Sequence, residues 1–147
     1  MTRHLHVWIH LIHFSIIREE QEEAFASLEK AKSMDVSPSE ILISFLRSRM
    51  TQLLDPSICI DNAIAEFSLA SQQSRELLQS RAVACVDIVS QMLELGVAQG
   101  VFSCENCKDT ALHIIWSLEG MGKHNLLFPL TQKDMDVQLE LMLRILQ

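Results

Sequence analysis

Three points along the chain carry the residues that begin an α-helix, and each is followed by apolar residues at helical spacing. At Ser37-Pro38-Ser39-Glu40 the order is an N-cap serine, proline at the first helical position, and glutamate three residues after the cap. The serine can accept from first-turn N–H groups while the glutamate reaches back to the cap N–H. Asn106 with Asp109, and Thr131 with Asp134, repeat the device. These starts predict helices over about 38–54, 108–121 (stopped by Gly122) and 132–147.

The intervening chain reads the same way. Asp55-Pro56 stops one helix and starts another that carries Ile60, Ile64, Phe67 and Leu69. After Ser74, the residues Leu77, Leu78, Val83, Val86, Val89, Met92 and Leu93 keep helical spacing to about Gln99, where Gly100 is a natural stop. Residues 5–32 are helical by propensity. Hydrophobic residues make up 48% of the chain, yet there are only four glycines and three prolines. That balance excludes a disordered chain and a turn-rich β architecture. The expectation is an all-α, single domain of about six helices, with residues 36–147 as its body and 1–35 as an N-terminal helical segment of unassigned role. A chain of 147 residues buries enough surface, roughly 70%, to need no metal or disulfide for stability.

Charge narrows the function. The formal net charge is −7, and the 12 basic residues are scattered. Nucleic-acid binding needs a basic patch that neutralises phosphates, so this chain is a poor DNA binder by itself. Residues 5–17 form an apolar run behind Arg3, but histidines interrupt it and Glu19-Glu20-Gln21-Glu22-Glu23 follows where a signal-peptide cleavage site would need small residues. The run is also shorter than the roughly 20 residues of a membrane-spanning helix. The sequence is therefore read as a cytoplasmic, reduced protein with no membrane partner.

Of the four cysteines, Cys59 and Cys85 sit among apolar residues as small core groups. Cys104-x-x-Cys107 could supply half a zinc site, with His113 or His124 as further ligands, or act as a redox dithiol. Its spacing to those histidines matches no closed zinc-finger pattern, and an incidental pair of loop thiols is the simpler account. His6, His10 and His13 share one helical face, without the glutamate of a metalloprotease motif. No Glu-x-x-His pair, phosphate loop or nucleophile elbow is present, so no enzyme activity and no cofactor is expected.

The last two helices are apolar over more than the roughly 100° stripe that faces a helix's own core. Residues 111–121 read Ala-Leu-His-Ile-Ile-Trp-Ser-Leu-Glu-Gly-Met, and the final helix carries Met135, Val137, Leu139, Leu141, Met142, Leu143, Ile145 and Leu146. Either these helices are central in the fold, or they face a second copy in an intersubunit four-helix bundle. The second reading takes Ile114, Ile115, Leu118, Met121, Leu141, Met142 and Ile145 as the homodimer interface.

The order of segments resembles the C-terminal half of TetR-family transcription regulators. Leu93 through Phe102 looks like the end of that family's long helix, a Gly-x-x-x-Gly-x-Phe element at Gly96, Gly100 and Phe102 followed by an acidic position filled by Asp109. Ala111 through Leu118-Glu119-Gly120 resembles its first dimerisation helix, and Ala65-Glu66-Phe67 with Arg75-Glu76-Leu77-Leu78 resembles the preceding pair. The resemblance spans residues 36–147. It implies the ligand-sensing and dimerisation domain of a repressor, whose small effector, often apolar or cationic, shifts a two-state equilibrium. Phe45, Phe67, Met92, Leu112 and Trp116 are then the candidate effector pocket. The family's DNA contact belongs to a helix-turn-helix head, which is not recognisable before residue 36, so DNA recognition is carried by no residue here. Two alternatives stand beside this reading: a metal- or thiol-responsive helical protein, and a purely structural dimerisation module.

Overall fold

The computed structural model describes residues 36–53 and 72–147, together with 22, 23, 25, 26, 28–30, 32 and 33; at 53, 74, 77, 78, 81 and 126 it describes the backbone alone. The described residues between 22 and 33 are helical, and four longer helices follow: α1 (Pro38–Leu53), α2 (Gln72–Ala98), α3 (Cys107–Leu127) and α4 (Gln132–Arg144). Among the described residues there is no strand, and every regular element is a helix. The helix expected after Asp55-Pro56, with Phe67 on it, and the histidine row of residues 6–13 lie outside the described residues.

The starts follow their capping residues. Ile41 donates its N–H to the Ser37 carbonyl (3.3 Å), so Ser37 stands at the cap of α1 with Pro38 at the first position. The Asn106 side chain accepts from the Asp109 N–H at 3.0 Å and opens α3. Thr131 and Asp134 form a reciprocal box at α4: the Asp134 N–H donates to Thr131 Oγ1 (3.2 Å) while the Asp134 carboxylate accepts from the Thr131 N–H (2.8 Å).

The stops are more varied. α2 ends as expected, with Gly100 at φ +72°, the left-handed conformation that glycine adopts without a Cβ penalty. The expected stop of α3 at Gly122 is corrected: the helix continues to Leu127. A glycine ends a helix only if it leaves the right-handed region, and Gly100 is the one glycine with positive φ among the described residues. Phe128 ends α3 in extended conformation, with its N–H donating to the His124 carbonyl. Pro129 is the cause, because it disfavours helical geometry at the residue before it. The Asn125 side chain then accepts from the Leu130 N–H at 2.8 Å and closes the turn into α4.

α1 is the centre of the packing. It lies against α2, α3 and α4, and α2 lies against α3. Its buried face is Ile41, Leu42, Phe45, Leu46 and Met50, while Ser44, Arg47, Ser48 and Thr51 are exposed. α2 contributes Ile88, Val89, Met92 and Leu93 from its C-terminal part, α3 contributes Ala111, Ile114, Ile115 and Leu118, and α4 contributes Met135, Leu139 and Met142. Leu28 is fully buried in the same cluster, so this residue of the described helical stretch shares one core with the four long helices. A final clasp joins the ends: the Ser103 N–H donates to the Leu146 carbonyl at 2.7 Å, holding the C-terminus against the α2–α3 loop.

Candidate functional site

Helices α3 and α4 are two-faced. On α3, Ala111, Ile114, Ile115 and Leu118 are buried in the chain's own core. The opposite side carries Trp116, Gly120, Lys123 and Leu127, spaced by four, three and four residues and therefore in one row. Trp116 is 63% exposed and Leu127 72% exposed, with Phe128 beyond the helix end also exposed. On α4, Met135, Leu139, Met142 and Leu146 point inward, whereas Val137, Leu141 and Ile145 form an outward row four residues apart. Large apolar groups in such outward rows are removed from water only by a partner or by another segment.

This division rearranges the residues expected at a dimer interface. Leu141 and Ile145 are nearly half exposed and are available to a partner. Ile114, Ile115, Leu118 and Met142 are not, because this chain already buries each of them to 8% exposure or less. Met121 is half-buried and packs against the same cluster. The outward residues Leu127, Phe128 and Val137 are not among those expected at the interface, although Val137 belongs to the apolar set of the final helix and lies one turn before Leu141. Helical spacing reveals a broad apolar surface but does not say which part of it the rest of the chain covers.

The expected effector-pocket residues also separate. Phe45 and Met92 are buried together in the core that holds Ile114 and Leu118. Leu112 is half-buried. Trp116 stands on the outer face of α3, away from that interior. Phe67 lies outside the described residues.

Charges beside the outer row are mixed in sign. Glu119 and Lys123 bracket Gly120. Burial pushes the Glu119 carboxyl above the ordinary range, and the positive Arg49 on α1 draws it back down. On α4, Arg144 donates to Glu140 along the exposed side. The Asp134 carboxyl is held below its ordinary range by the Thr131 backbone and then side-chain hydrogen bonds of the capping box.

Cys104 and Cys107 come together at the start of α3, with Sγ atoms 3.0 Å apart. Both are half-buried and packed against the core. His113 and His124 are exposed further along α3, where His124 stacks in tilted fashion on Phe128 (ring centroids 5.4 Å apart). No group of three His, Cys, Asp or Glu side chains able to hold a metal is found among the described residues. Within that part of the chain the thiol pair is two donors without a third.

No described helix is long and apolar enough to cross a membrane. Comparison with known protein families, with curated proteins and with solved structures finds no match for this chain.

Proposed function

We propose that this chain is a homodimerisation and ligand-sensing module of the kind found in TetR-type transcription regulators, with α3 and α4 facing a second copy. One observation carries the reading: both helices fill their inner faces within the chain and still present outward rows, Trp116–Leu127 and Val137–Ile145. Gly120 lies in the middle of the α3 row, and a Cβ added there would meet nothing within 4 Å, so a neighbouring backbone can approach closely. The order of the Gly96–Gly100–Phe102 turn and the two helices after it supports the kinship. The sensing role rests on Phe45 and Met92, whose aromatic and flexible thioether side chains suit an adaptable apolar interior.

Sedimentation equilibrium of the whole chain tests the dimer. A concentration-dependent dimer that dissociates in Leu141→Glu and Trp116→Glu, with helical content retained, is the expected result. A wild-type monomer at high concentration would falsify it. The sensing role is tested separately by thermal shift with apolar and lipophilic-cation compounds: stabilisation by a compound that loses its effect in Met92→Leu supports it. No shift with any compound leaves the dimer reading and removes the sensor.

A further inference from the structure

The pair Cys104–Cys107 lies at the start of α3, outside the rows Trp116–Leu127 and Val137–Ile145. Its sulfurs, 3.0 Å apart, need to approach by only about 1 Å to reach bonding distance. Both sides of the pair are anchored. Immediately before Cys104, Phe102 is buried and the Ser103 N–H is tied to the Leu146 carbonyl. Immediately before Cys107, Asn106 caps the helix through Asp109 and accepts from Thr110 on its backbone oxygen at 3.0 Å. Two thiols set close by fixed neighbours have lost most of the conformational freedom that disulfide formation would otherwise have to remove.

We propose that Cys104 and Cys107 are a reversible thiol–disulfide site that exchanges with low-molecular-weight disulfides of the glutathione type. Burial, then the hydrogen bond and charge of Cys104, then the charge of Glu94, push the Cys107 thiol up to about 11. A thiolate of the pair bonds to one sulfur of glutathione disulfide, whose S–S bond breaks, and one glutathione leaves as a thiolate. The other cysteine then gives up its proton, its sulfur bonds to the first, and the second glutathione thiolate departs. Two cysteine thiols are oxidised to one disulfide, one glutathione disulfide is reduced to two thiols, and the two cysteine protons end on the glutathiones. The new bond ties the end of the α2–α3 loop to the first turn of α3, and dithiol reductants reverse it.

The test is intact-mass and peptide mapping of the full chain equilibrated in glutathione buffers from reducing to oxidising. The expected wild-type product loses the mass of two hydrogens and two alkylatable thiols together, with residues 104 and 107 linked, and recovers both with dithiothreitol. Cys107→Ser should retain one glutathione on Cys104, and Cys104→Ser one on Cys107, because neither has a second thiol to displace it. The proposal is overturned by thiols that stay reduced in oxidising buffer, by a lasting glutathione adduct on the wild type, or by a linkage through Cys59, Cys85 or a second chain.

Discussion

The ring of Phe102 lies directly on the Cα of Gly96: a Cβ built at Gly96 would overlap its Cγ, Cδ2 and Cε2 atoms. The contact depends on the turn between them. Gly100 takes φ +72°, and the N–H groups of Val101 and Phe102 both donate to the Gly96 carbonyl, at 2.8 and 3.1 Å. The chain thereby reverses and returns its aromatic side chain to the helix it has just left. Glycine is required twice, once for space and once for conformation.

Gly96→Ala should therefore destabilise the fold by about 1–3 kcal/mol, the usual cost of forcing a side chain into a filled site. Gly100→Ala should cost about 1–2 kcal/mol through left-handed strain alone, since nothing lies within 4 Å of its Cβ position. Urea denaturation separates the causes. Combining Gly96→Ala with Phe102→Leu should be less damaging than the sum of the two, whereas Gly100→Ala should add to Phe102→Leu nearly independently.

Leucines on opposite faces of one helix should respond in opposite ways. Leu139→Ala, at 5% exposure, removes core packing and should cost about 2–5 kcal/mol. Leu141→Glu, at 46% exposure, should leave the monomer's denaturation midpoint almost unchanged and act on association. Leu118→Glu belongs with Leu139: it places a charge in the core and should yield unfolded protein, not a folded monomer. Circular dichroism run beside sedimentation distinguishes the two classes.

Helix α3 should lose about 1 kcal/mol in Asn106→Ala, because the cap to the Asp109 N–H disappears. Amide exchange of the first turn, Lys108 to Thr110, should quicken more than exchange near Leu118. Uniform acceleration along α3 would argue against the cap as the local anchor.

The raised carboxyl of Glu119 makes a pH prediction. Its folded pKa lies above the ordinary 4.5, so the native state binds its proton more readily than the unfolded chain. Stability from this group is therefore greatest below 4.5 and declines as pH rises through the folded value. Glu119→Gln should be more stable than wild type at neutral pH, by under about 1 kcal/mol because the side chain is partly solvent-screened. The difference should vanish in acid. Arg49→Met should widen it, since the Arg49 charge favours the ionised form.

Much of the local structure was legible in the residues. Ser37-Pro38, Asn106-Asp109 and Thr131-Asp134 start helices because a cap needs only a side chain and the backbone one turn away. Gly100 stops a helix for an equally local reason. Gly122 was misleading, because that glycine stays helical and the restriction imposed by Pro129 on Phe128 sets the end instead. The cysteine motif was legible as a motif, and folding brings its two sulfurs together while leaving His113 and His124 outside the pair.

Residue order alone thus yields an all-helical chain, the points where its capped helices begin, and two helices too apolar for one buried stripe. It could not decide that Leu118 and Leu139 face inward while Trp116 and Leu141 face outward. All four are large apolar residues at helical spacing, so local propensity and periodicity are nearly indifferent between them. That choice is made by packing: α1 lies against α3 and α4, and whichever side of each helix meets its Leu42, Phe45 and Leu46 becomes the core.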